Sequence, residues 1–346
     1  MDGGTPLGMN GALRGQLEPL SAILARSDVF EVVVNKPGEV WVETAAGWQV
    51  LVLPELTYTA LERIAVTTAN ASGQFVDATK PLLSATLPGG ERIQIVMPPA
   101  TSAGIISVTI RKASTTTMTL VELERGGLFS EIVSPLLRDG GTIEDCDLAE
   151  LLRAQKTAVF LYQCVLARKN IIIAGATGSG KTTLSKALIR LVPQHERIVT
   201  IEDTPELVVP HKNYVRLLYS KGAQNGTQVG AKELLEASLR MRPDRIIMGE
   251  IRDGVAFDFL RNVNSGHPGS ITTVHANSCA LAFEQLTLLV KESQTGRDLE
   301  RGDIRQLLEQ LVDVVVQCKR VGGKFRVTEI WFGPDEERLR AAGSHS

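Results

Sequence analysis

Residues 175–182 read Gly-Ala-Thr-Gly-Ser-Gly-Lys-Thr and follow the apolar run Asn170-Ile-Ile-Ile-Ala174. A glycine-rich turn between a strand and a helix wraps anionic oxygens in backbone N–H groups, and the helix presents its positive end to the same anion. The candidate phosphate-binding residues are therefore Gly175, Ala176, Thr177, Gly178, Ser179, Gly180, Lys181, Thr182 and Thr183. Lys181 suits the β and γ phosphates of a nucleotide, and the Thr182 hydroxyl suits Mg²⁺.

Three further groups of residues close apolar runs. Thr200-Ile-Glu202-Asp203-Thr-Pro-Glu206 ends in acids, Arg245-Ile-Ile-Met-Gly249-Glu250 ends in one, and Ser265-Gly266-His267-Pro-Gly269-Ser270-Ile-Thr-Thr-Val-His275 carries two histidines. Ligands of open α/β sheets sit at the carboxyl ends of strands, so these acids are expected beside the phosphates. Phosphoryl transfer needs positioning and neutralised charge more than covalent chemistry. Of Glu202 and Glu250, one orients or deprotonates the attacking water and the other holds Mg²⁺ through water; residue types alone do not order them. Glu250 joins Thr182 as a candidate metal residue. His275 is expected either to sense the γ-phosphate or to line a subunit interface. His267 is left open between structure and function, and His195 and His211 take no role.

In their order, ATGSGKT, TIEDTPEL, SLRMRPDRIIMGEIRD and SGHPGSITTVHA resemble the Walker A, Asp, Walker B and His boxes of type IV secretion ATPases, in particular the conjugation and effector-export (VirB) branch. Gly89-Gly90-Glu91-Arg92-Ile-Gln and Ser107-Val-Thr-Ile-Arg111-Lys112 carry the likeness toward the N-terminus. The resemblance implies a Mg²⁺-dependent ATPase working as a ring of six, peripheral to the cytoplasmic face of the inner membrane and partnered by its secretion components. It implies that Arg92 and Arg111 reach the nucleotide and that Arg240 and Arg252 serve the γ-phosphate or the interface. Competing readings are a pilus or type II secretion ATPase, a single-stranded nucleic-acid translocase and a non-catalytic ATP-gated scaffold. The first often carries a paired CxxC module, which the four cysteines at 146, 164, 279 and 318 do not form. Against the second stand a net charge of -2 and the lack of an aromatic-basic tract. Intact Lys181, Thr182, Glu202 and Glu250 argue against the third.

Two kinds of chain must position these residues. Residues 1–112 alternate β-branched runs with turn clusters such as Asn35-Lys36-Pro37-Gly38, with one helical spacing over 57–71, and read as a small α+β domain. Residues 113–145, polar and rich in glycine pairs, read as a linker. From 146 to 346, a long amphipathic helix ending near Lys169 precedes near-continuous apolar strands separated by helices. That is α/β grammar with a mostly parallel sheet covered on both faces, and the resemblance makes it a RecA-like P-loop domain. At 346 residues with 43% hydrophobic content, there is material for two cores. No basic leader and no apolar run of about 20 residues appears; the expectation is a soluble, cytoplasmic chain with reduced thiols.

Overall fold

The computed structural model describes residues 7–44, 46–112, 117–132, 136–137, 143–219, 229–264 and 266–333. They fall into two compact units, 7–112 and 117–333.

The first unit opens with helices α1 (Leu7–Gln16) and α2 (Glu18–Ala25). Six strands follow: β1 (Val29–Lys36), β2 (Glu39–Thr44), β3 (Gly47–Val52), β4 (Leu82–Thr86), β5 (Arg92–Val96) and β6 (Ser107–Arg111), with helix α3 (Tyr58–Ala71) between β3 and β4. They form one sheet in the order β3-β2-β1-β6-β5-β4 with antiparallel neighbours. Alternation decides which face is covered: Val32, Val34, Val40, Val42, Ile93, Ile95, Val108 and Ile110 are buried. Their core also takes Leu61, Ile64, Ala65 and Ala69 of α3, which lie at helical spacing. Thr57 starts α3 by accepting the Ala60 N–H. Helices α1 and α2 were not expected from the residue pattern; Leu13 of α1 and Leu20 and Ile23 of α2 are buried, as is Leu17 between them.

The second unit carries α4 (Leu120–Arg125), β7 (Leu136–Leu137), α5 (Ile143–Arg153), α6 (Thr157–Leu166), β8 (Ile171–Gly175), α7 (Lys181–Ile189), β9 (Ile198–Glu202) and β10 (Tyr214–Leu218). Then come α8 (Ala231–Leu239), β11 (Arg245–Met248), α9 (Val255–Asn264), β12 (Ile271–Val274), α10 (Cys279–Glu292), α11 (Arg301–Leu311), β13 (Val314–Val321) and β14 (Lys324–Phe332). Strands β10-β9-β11 are parallel neighbours, as are β12-β8-β13; β14 returns antiparallel beside β13. The Ile251 N–H donates to Thr273 O at 2.8 Å and the Thr273 hydroxyl to Gly249 O at 3.0 Å, joining the end of β11 to β12. Strands β8, β9, β11 and β12 are buried at every residue. Along β8, Ile171 and Ile173 enter one core with α4 to α7, while Ile172 and Ala174 enter another with α8 to α11. Helices therefore cover both faces, as near-continuous apolar strands require.

Two expectations are revised. The helix expected to run to Lys169 is two helices, broken where Gln155 takes φ 57°, and α6 ends at Leu166. The expected 113–145 linker is in part structured: α4 is opened by a capping box between Thr119 and Glu122, and Leu120, Leu123 and Leu128 lie in the core of the second unit. Residues 113–116, 133–135 and 138–142 lie outside the described set.

Candidate active site

Strand β8 delivers the phosphate loop and α7 receives it. Gly178 and Gly180 adopt φ +70° and +95°, which side chains other than glycine's rarely tolerate. Gly175 has a different reason for its type: a Cβ there would lie 2.6 Å from Cys318 O on β13. Lys181, 8% exposed, donates to Gly175 O at 2.7 Å and Ala176 O at 2.9 Å. The Thr182 hydroxyl stands 3.4 Å from Glu206 Oε2. Glu206 closes the Thr200–Glu206 motif, but residue type and spacing alone assign it no role. Its place was legible only in part, because Pro205 and the acid lie beyond the strand, where period-two arguments stop.

The two strand-end acids differ sharply. Glu202 is 2% exposed and its oxygens are fully engaged. One accepts from the Thr200 hydroxyl at 2.9 Å and Arg216 Nε at 3.1 Å; the other accepts from the N–H groups of Glu206 and Leu207, both at 2.8 Å. It is bound as a clamp for the turn carrying Glu206. Glu250 faces two other side chains. Arg252 Nη2 donates to its Oε2, and His275 Nε2 lies 2.8 Å from its Oε1. Arg252 Nη1 also reaches Asp203 Oδ2 at 3.4 Å. Burial lowers the Arg252 pKa, but the hydrogen bond and charge of Glu250 outweigh it and hold the guanidinium above its usual value. Burial, with the Asp203 carboxylate, pushes the nearby Tyr219 hydroxyl up to about 12. Gly249 is small because a Cβ would come 3.3 Å from Glu202 Cγ. One end of the sheet thus gathers Lys181, Thr182, Glu202, Glu206, Glu250, Arg252 and His275.

Other candidates lie elsewhere. Arg240 is exposed at the end of α8 and donates to Glu236 O at 3.2 Å. His267 precedes β12, at the opposite end of that strand from His275, and bonds Pro243 O at 2.8 Å through Nδ1. His211 is buried against Val192 O. In the first unit, Arg92 and Arg111 are directly paired across β5 and β6, and Arg111 pairs with Glu31 across β6 and β1.

Among the described residues, no cluster of three or more His, Cys, Asp or Glu is suited to hold a metal. A hydroxyl beside a carboxylate, as at Thr182 and Glu206, nevertheless fits a hard cation that takes its remaining ligands from phosphates and water.

A phosphate loop at the carboxyl end of a buried parallel strand, with acids on the ends of neighbouring strands, defines a P-loop nucleotide hydrolase. The family described as Type II/IV secretion system protein matches residues 15–326. The Type IV secretion system protein VirB11 of Bartonella henselae is 53% identical over 332 residues, covering 93% of each chain. Protein VirB11 of Agrobacterium fabrum is 40% identical, covering 94% of this chain and 95% of that one. The crystal structure of the VirB11 ATPase from the Brucella suis type IV secretion system, in complex with sulphate, aligns with TM-score 0.54 at 42% identity. It covers 95% of this chain and 99% of that one. The chain belongs to the type II/IV secretion system protein family, and it is a nucleotide-binding ATPase of type IV secretion. No helix among the described residues is long and apolar enough to cross a membrane.

Proposed function

We propose that the chain hydrolyses ATP as a ring of six at the cytoplasmic face of the inner membrane, energising type IV secretion with the membrane components of that system. The observation that carries the chemistry is Glu250, a carboxylate flanked by Arg252 and His275 at the sheet end that holds Lys181.

In this reading the loop N–H groups and Lys181 bind the phosphates, whose oxygens replace Gly175 O and Ala176 O as partners of the ammonium. Glu250 orients a water and accepts its proton as the water oxygen bonds to the γ-phosphorus. The bond from that phosphorus to the β–γ bridging oxygen breaks, leaving ADP and phosphate. His275 and Arg252 fix the Glu250 carboxylate; Arg252 adds positive charge near the γ-phosphate. Thr182 and, through water, Glu206 would hold Mg²⁺, which when bound neutralises phosphate charge. Glu250 fits that metal place less well than Glu206, because Arg252 already donates to one of its oxygens and His275 stands beside the other. Glu202 positions rather than reacts. Arg240 is assigned to the contact between subunits, and Arg92 and Arg111 to nucleotide affinity.

The test is Glu250→Gln, which keeps size and hydrogen bonding. It is expected to bind ATP like the parent, to lose turnover and to accumulate as the ATP-bound ring in sedimentation. A loss of nucleotide binding comparable to that of Lys181→Ala would remove Glu250 from this role.

A further inference from the structure

We propose that the tip of the β13–β14 hairpin receives the ribose and base of the nucleotide, with the Phe325 ring as the platform on which the base stacks. The proposal rests on the reading of residues 175–182 as an ATP site.

Register brings the hairpin to that site. Strand β13 runs parallel beside β8, with Cys318 opposite Gly175, the last residue of β8. Beyond this pair the β8 chain turns into the phosphate loop, while β13 continues through Lys319, Arg320 and Val321. It then turns at Gly322 and Gly323, both with positive φ, and returns through Lys324 and Phe325. The hairpin projects past the sheet end alongside the loop. A Cβ on Gly180 would lie 3.1 Å from Phe325 Cγ and 3.2 Å from its Cδ1, so the ring rests on the last glycine before Lys181.

Exposure separates this ring from core aromatics. Phe325 is 40% exposed and Val321 42%, whereas Cys318 and Val327 just behind them are buried. The tip is also held in shape by its own groups. Arg320 Nε donates to Gly323 O at 3.2 Å and Arg326 Nη1 to Phe325 O at 2.8 Å. Four of the eight residues from Lys319 to Arg326 are cationic, which favours a polyanion alongside.

Strand order supplies the direction. Glu250 and His275 follow β11 and β12, on one side of β8; β13 lies on its other side. A nucleotide whose γ-phosphate meets Glu250 must lead its ribose away from β12, which is toward β13. An aromatic face there binds any base through its π-surface.

The test compares two anions with the same three phosphates. A non-hydrolysable ATP analogue and inorganic tripolyphosphate are titrated calorimetrically into the full chain and into Phe325→Ala and Phe325→Trp. The expected result is that Phe325→Ala binds the analogue roughly tenfold more weakly, binds tripolyphosphate like the parent, and that Phe325→Trp restores the analogue. Equal weakening of both anions would make the ring a brace for the loop and overturn the proposal, as would no change in either. A parent chain that bound neither anion would instead overturn the ATP-site reading on which the proposal stands.

Discussion

The Glu206 backbone N–H donates to the Glu202 carboxylate at 2.8 Å, so the acid beside Thr182 is hung from the acid buried behind it. Replacing each acid should therefore give a different phenotype. Glu202→Gln turns an amide N–H₂ toward groups that are themselves donors, at a cost of about 2 kcal/mol. Thermal denaturation should show a midpoint lowered by about 6 °C. Glu206→Gln should leave that midpoint in place, cut turnover at least 10-fold and raise the Mg²⁺ concentration needed for half-maximal rate. The same melting loss in both variants would assign Glu206 to the fold rather than to the site.

The acids also show what the sequence could convey. The phosphate loop was readable because its spacing is itself the chemistry, and β8, β9, β11 and β12 because strands buried on both faces are apolar throughout. Choosing between Glu202 and Glu250 was not possible, since both end apolar strands. What separates them is the partner set: Thr200, Arg216 and two turn amides for one, Arg252 and His275 for the other. Thr200 and Arg252 lie two residues from their acids, but nothing in spacing says that Arg216 or His275 returns to them. The break at Gln155 was invisible for a related reason. Apolar spacing continues through it, and only backbone geometry interrupts the helix.

His275 and Arg252 both act on Glu250, and their effects should not add. Half-exposed His275 changed to Ala, and Arg252 changed to Ala, should each lower turnover with ATP binding largely kept. The double variant should fall less than the product of the two losses, because one carboxylate mediates both. Steady-state kinetics on the four proteins measures the coupling. Independent, multiplicative losses would show that His275 or Arg252 acts elsewhere.

At the opposite end of β11 lies a buried ion pair outside the chemistry. Arg245 is fully buried and donates to Glu196 at 2.6 and 3.1 Å, with Gly269 O at 3.2 Å completing its contacts. Arg245→Met leaves the Glu196 carboxylate buried with only Arg168, at 3.3 Å, to balance it. Loss of one partner of such a pair costs about 3–5 kcal/mol. Denaturant titration should register that loss, and the double variant Arg245→Met, Glu196→Gln should recover part of it. A single variant as stable as the parent would mean that Arg168 alone suffices.

Burial holds the thiols of Cys279 and Cys318 at about 12, against an ordinary value of 9.0. An acid with a raised folded pKa favours its neutral form. The stability it contributes is complete below pH 9 and is lost as pH rises from 9 toward 12. Melting temperature in the Cys146→Ser variant should accordingly fall steadily above pH 9. The same folded Cys146→Ser variant at pH 8 should react with a thiol reagent only at the rate of global opening, since Cys164, Cys279 and Cys318 are all buried. Rapid labelling without denaturant would contradict this burial.

The last expectation concerns two arginines of the first unit. Arg92 and Arg111 sit opposite one another on β5 and β6. Like charges so paired repel, and an anion bound between them would turn that repulsion into attraction. Glu31, beside Arg111 on β1, offsets part of the charge. Its own pKa is raised chiefly by burial, against the lowering effect of Arg111. If the pair contributes to nucleotide affinity, Arg111→Ala should weaken binding of an ATP analogue several-fold without altering tripolyphosphate-independent properties such as melting of the protein alone. Hydrogen exchange with and without the analogue then locates the effect. Protection of β5, β6 and the segment 113–145, along with residues 170–280, is expected, because a ligand can shift a conformational equilibrium only through contacts it prefers in one state. Protection confined to residues 170–280 would leave the first unit as a docking module, with Arg92 and Arg111 serving a partner other than ATP.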